Sequence, residues 1–156
     1  MEKIAEYSDK SIFYTNINFD EKWFEKLPIG KWVGVVYGDD VEKEIIFEIV
    51  NICIEKNISY ACTMGNSCEL IHDIFDETEI EINIKNQRKN NNNDIFIPTT
   101  WHIEFNQGVF YSIVCTIDNS SEVYQEYNQI VFINLNRKNI KDELINAINN
   151  LDSFKQ

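Results

Sequence analysis

Two short apolar runs, each stopped by a turn and followed by a helical stripe, limit what this chain can fold into more than any other feature. Lys31-Trp-Val-Gly-Val-Val-Tyr37 ends at Gly38-Asp39-Asp40, and so brief a continuous apolar run reads as a strand covered on both faces. From Val41 to Lys56, Ile46, Ile49, Val50 and Cys53 form one stripe, with Glu44, Glu48, Asn51 and Glu55 opposite. That is an amphipathic helix. Ile58 to Met64 repeats the strand and Gly65 ends it, while Asn66 with Glu69 three residues on makes a capping pair for a second helix. Strand, helix, strand, helix implies parallel strands joined by right-handed crossovers.

Beyond Ile84 the periodicity breaks at Asn86-Gln-Arg-Lys-Asn-Asn-Asn-Asn-Asp94, a polar stretch with nothing to bury. Ile95 to Thr100 resumes as a strand, with Pro98 marking an edge or a strand end. Asn106-Gln-Gly108 is compatible with a hairpin, but Phe110, Ile113, Val114 and Ile117 have helical spacing, which favours a helix. After a polar connection from Asp118 to Asn128, Gln129 to Leu135 is a last strand. Asn139 then caps a terminal helix that turns Ile140, Leu144, Ile148 and Leu151 inward. Near the start, Ser11 to Phe19 is open to a further strand and Asp20 to Leu27 to a short helix. The expected fold is α/β, a single three-layer Rossmann-like domain over residues 1–156, with a mainly parallel sheet of four to five strands flanked by helices. Residues 1–30 form an N-terminal strand and helix extension, and 86–94 a flexible Asn-rich loop.

At 156 residues, 44% of them hydrophobic, such a domain buries roughly two thirds of its unfolded surface and needs no covalent staple. Its four cysteines, Cys53, Cys62, Cys68 and Cys115, sit in apolar or helical runs without the close spacing of a disulfide framework. Reduced thiols are expected. Met-Glu-Lys-Ile-Ala-Glu at the start is acidic where a secretory signal is basic, and no apolar run is long enough to span a bilayer. A cytoplasmic location follows as an expectation. The net charge of −12 opposes binding to nucleic acid or to an anionic membrane, since both recruit clustered Lys and Arg. Glu69, Asp73, Asp76, Glu77, Glu79 and Glu81 have no Lys or Arg among them. They make either a solvated face or a docking face for a basic protein.

Ligands of open parallel sheets bind beyond the carboxyl ends of the strands. Asp39 and Asp40, Gly65 to Cys68 with His72, Trp101 with His102, and Asn136 with Arg137 fall there. Cys68, His72 and Asp76 are four residues apart and share a helix face. A thiol at a helix N-terminus with a histidine one turn on is a nucleophile and base, and the amides of residues 66–68 are candidate oxyanion donors. The alternative is structural: a packed Cys68, a His72 bonded to a carboxylate, and Trp101 as an anchor. The Cys68, His72, Asp76 row with His102 could also ligate a metal, but there is no His-Glu-x-x-His and no Cys-x-x-Cys. One glycine at Gly38, beside acids, does not make a dinucleotide fingerprint. No cofactor and no metal are expected.

Three segments together resemble the DUF7684 family of small bacterial α/β proteins of unknown function: Trp32 to Ile54, Ala61 to Asp76, and Thr99-Thr-Trp-His102 leading to Val109-Phe-Tyr111. The resemblance spans roughly Val33 to Val131. Gly65, Cys68, Asp73, Asp76 and Thr99 to His102 match the family's pattern, while Met64 stands where an aromatic is usual and the Asn-rich loop is inserted. It implies one intracellular α/β domain, and a helix after His102, without an established activity. Two functional classes remain. The first is a protein-binding module of immunity or antitoxin type, docking a basic toxin through Asp39, Asp40, Trp101, Asp73, Asp76, Glu77, Glu79 and Glu81. The second is a thiol- or metal-dependent enzyme using Cys68, His72 and His102.

Overall fold

The computed structural model describes residues 1–118 and 125–155. In chain order the elements are β1 (Glu2–Tyr7), β2 (Lys10–Asn16), a 3-10 turn (Trp23–Lys26), β3 (Val33–Tyr37), α1 (Lys43–Glu55), β4 (Tyr60–Met64) and α2 (Cys68–Arg88). There follow β5 (Thr99–His102), α3 (Phe105–Phe110) running on as a π turn (Tyr111–Cys115), β6 (Ile117–Asp118), β7 (Gln125–Glu126), β8 (Gln129–Asn134), α4 (Lys141–Asn149) and a 3-10 turn (Leu151–Lys155). Six strands form one sheet in the order β1-β2-β8-β3-β4-β5. All neighbours in it are parallel except β1 with β2.

The sheet is wider than the expected four to five strands because the chain begins with a hairpin. Glu2, Lys3 and Glu6 leave β1 exposed, without the continuous apolar run that marks a central strand, so its pattern is weak. Ser8, at φ 52°, turns the chain between the two strands. The second strand lies at Lys10–Asn16 and not as far as Phe19, because Asn16 ends it by accepting hydrogen bonds from the main chain and side chain of Asn18.

Alternation along the strands sorts the core into two clusters. Val36, Ala61, Val131 and Ile133 pack with Ile46, Ile49, Val50, Cys53, Ile71, Ile74 and Phe75 of α1 and α2. Val33, Val35, Cys62, Met64, Ile130 and Phe132 pack with Val109 and Ile113 and with Leu144, Ala147 and Ile148 of α4. Successive side chains of a strand point to opposite faces, so each strand serves both clusters. The stripe read from the sequence of α1 is the buried one. The segment after His102 is helical, as its spacing implies, and Gly108 is needed there because a Cβ would lie 2.8 Å from Cγ of Met64.

Two boundaries differ from expectation. Helix α2 continues to Arg88, into the stretch read as loop from Asn86, since Lys85, Gln87 and Arg88 are good helix formers and the cations suit its C-terminus. The returning chain is laced to α2: Asn83 donates to the carbonyl of Ile95 and accepts from its N–H, both at 2.8 Å, and Asn86 donates to the carbonyl of Asn93 at 2.7 Å. Strand β5 therefore starts only at Thr99, after Pro98. The polar connection read at 118–128 falls partly outside the described residues; its ends, β6 and β7, pair antiparallel. No described helix is long and apolar enough to cross a membrane.

Candidate functional site

Strand β3 leads into α1 on one face of the sheet, whereas β8 leads into α4 on the other. The chain diverges between their carboxyl ends, where a ligand crevice forms in open α/β sheets. Here the protein's own side chains close it. Asp39 accepts from the Tyr37 hydroxyl at 2.9 Å, from Nδ2 of Asn136 at 3.0 Å and from the main-chain N–H of Asn66 at 2.8 Å, and its own N–H donates to Oδ1 of Asn136 at 2.9 Å. One carboxylate thus ties together the loops after β3, β4 and β8. Burial first, and then the bond to Asp39, push the Tyr37 hydroxyl up to about 12. Asp40 and Arg137, beside the clamp, are exposed.

The capping pair expected of Asn66 and Glu69 does not form, because α2 begins at Cys68 and Ser67 takes the N-cap position. Ser67 makes no side-chain cap bond, and Asp39 of the neighbouring loop holds the Asn66 N–H just ahead of the helix. A carboxylate just ahead of a helix N-terminus is favoured by the helix dipole. Ser67 N–H donates to the carbonyl of Gly38 at 3.0 Å and Cys68 N–H to that of Gly65 at 3.1 Å. All three amides of residues 66–68, considered as oxyanion donors, are engaged inside the protein.

Cys68, His72 and His102 do not assemble. Cys68 is 1% exposed, and burial, the largest influence, raises its thiol, so the depressed pKa expected at a helix N-terminus does not arise. His72 lies on the α2 side of β5: its ring meets Trp101 edge-on at 5.1 Å, and Nδ1 is 3.2 Å from Asp73. His102 points to the opposite side of β5, against Tyr111 at 4.7 Å, where burial lowers its pKa. Residues 101 and 102 of a strand necessarily face apart. Among the described residues no three His, Cys, Asp or Glu side chains are placed to share one ion, and all four cysteines are free thiols.

What is open lies along the outer edge of β5. A shallow groove of about 490 Å³ runs between α2 and the chain entering β5, lined by Asp76, Glu79, Ile80, Phe96, Ile97, Pro98 and Thr99. Its floor is held by two acids: Asp76 accepts from the Thr99 hydroxyl at 2.9 Å and Glu79 from the Ile97 N–H at 2.7 Å. Burial raises Glu79, partly countered by that N–H. Phe96 is 80% exposed, Ile80 57% and, just beyond, Trp101 50%. Asp73 and Glu77 flank them, both exposed. Glu81 is turned about 100° around the helix from Ile80, further than Asp73 or Glu77, and pairs with Lys85 at 3.8 Å.

Phe96 and Ile80 belong to this surface and were absent from the candidates, although their signal is present in the sequence. Ile80 is out of phase with the buried Ile71, Ile74, Phe75 and Thr78 of its own helix. Phe96 alternates with the buried Ile97. The family model for DUF7684, a domain of unknown function, matches residues 12–150. No curated protein matches the chain.

Proposed function

We propose, from the premise that this chain belongs to the DUF7684 family, that it acts as a binding module for a basic protein, through the face formed by α2 and the edge of β5. The observation that carries this is a groove holding the exposed Ile80 and Phe96 beside Asp76 and Glu79, with the exposed Trp101, Asp73 and Glu77 beyond it. Scattered exposed apolar residues are ordinary, whereas apolar residues gathered in a groove with a charged rim have the anatomy of an interface. A cytoplasmic inhibitor of a basic toxin, of immunity or antitoxin type, fits best, since inhibition requires a complementary face and no chemistry. A three-layer Rossmann-like frame suits that role by holding α2 and β5 rigidly side by side.

Charge complementarity acts chiefly on the rate of encounter. Asp76 and Glu79 hold the groove together, so the charge test is better placed on Asp73 and Glu77. The double variant Asp73→Asn, Glu77→Gln should slow association with a labelled oligo-arginine peptide severalfold at low salt and little at high salt. An unchanged rate at low salt would overturn the assignment of this face.

A further inference from the structure

We propose that the partner is held by strand addition: an extended segment with Arg or Lys at alternate positions pairs with the outer edge of β5 and extends the sheet. This rests on the binding role proposed above and names the chemistry of its ligand. Among the described residues, no strand lies beyond β5. The pairing with β4 runs through the carbonyls of Pro98 and His102, which accept from the N–H groups of Ala61 at 3.0 Å and Gly65 at 3.2 Å. In a parallel ladder alternate residues face the neighbour. Thr99 and Trp101 therefore direct their N–H and C=O groups outward, which gives an arriving strand up to four main-chain hydrogen bonds.

Side chains decide which segment fits. Every second residue of an added strand projects to the α2 side, beside Thr99 and Trp101 and over Phe96 and Ile80. A long basic side chain satisfies that surface twice: its aliphatic stem covers the apolar groups, and its cation reaches Asp73, Asp76 or Glu77, or stacks on the Trp101 ring. Small or apolar residues alone would leave the acids unmatched. A second copy of this chain is disfavoured by the same charges, since two β5 edges paired about a two-fold axis would set the acidic faces of two α2 helices side by side. The acids thus also shield an otherwise open edge from self-association.

The test uses the whole protein and a blocked hexapeptide of alternating Arg and Thr. It is compared with the same peptide N-methylated at every second residue, so that one edge can no longer donate. Amide hydrogen exchange read by NMR should slow by about tenfold or more at Thr99 and Trp101 on adding the unmethylated peptide, while Thr100 and His102, already paired to β4, change little. Methylation on the bonding edge should weaken binding by about tenfold, as expected for two lost hydrogen bonds. Equal binding of both peptides, with no protection at Thr99 and Trp101, would overturn strand addition and leave the acidic docking face standing. Failure of both peptides to bind, together with an oligo-arginine rate indifferent to Asp73→Asn, Glu77→Gln, would remove the docking face as well.

Discussion

The loops beyond β3, β4 and β8 and the outer edge of β5 both carry residues capable of recognition, yet they resolve their polar groups in opposite ways. In the first, Tyr37, Asn66 and Asn136 all bond Asp39, whose carboxylate lies just ahead of α2. In the second, Asp76, Glu79 and the Thr99 hydroxyl build the floor, while apolar side chains, main-chain groups and the exposed Asp73 and Glu77 remain outside. The usual crevice of the architecture has become its fastening, and the recognition proposed above is displaced to the edge. Substitutions at the fastening should therefore cost stability, and those at the edge should cost binding.

Gly65 offers the largest effect. Its φ is 89°, and a Cβ would sit 2.5 Å from the carbonyl oxygen of Gly38, a backbone atom that cannot swing aside. Gly65→Ala should cost ~3 kcal/mol, combining left-handed strain with displacement of the neighbouring loop. Urea unfolding measures it. A loss below ~1 kcal/mol would show that the two loops are not rigidly joined.

Asp39→Ala comes next. Removing the carboxylate leaves the Asn66 N–H and the Asn136 amide short of an acceptor, for a loss of ~2 kcal/mol. Asp39→Asn keeps one acceptor oxygen and should lose less. Were both variants as stable as the parent, the crevice would be open to an external anion, and the contrast between the two regions would dissolve.

How much of this is legible in the sequence depends on the range of the interactions involved. The strands β3, β4 and β8, the stripe of α1 and the helix after His102 follow from local periodicity, because burial on a helix or strand repeats within a few residues. The partnership of Asp39 with Asn66 and Asn136 spans 27 and 97 residues, and no local pattern announces it. Cys68 and His72 share a helix face by spacing, as expected. Spacing does not tell that Cys68 falls under the turn and is desolvated while His72 turns to Trp101. Trp101 and His102 stand out in the sequence as neighbouring candidates, but their separation by the plane of the sheet requires knowing that β5 is a strand with helices against both faces.

The smallest expected change in stability is also the sharpest discriminator between the two regions. Phe96 and Ile80 are large apolar side chains, and in a core each would cost ~2–5 kcal/mol on truncation. Both are mostly exposed, and the polar work at the groove is done by Asp76 and Glu79. Phe96→Ser and Ile80→Ser should therefore leave the unfolding free energy measured in urea within ~0.5 kcal/mol of the parent. Their effect should appear instead in affinity for the alternating Arg and Thr peptide, because each removes surface on which an arginine stem lies, about 25 cal/mol for each Å² lost. If either substitution destabilised the fold by ~2 kcal/mol while peptide affinity held, Phe96 or Ile80 would be a packing residue, and the edge of β5 would be fastened like the loops it is contrasted with.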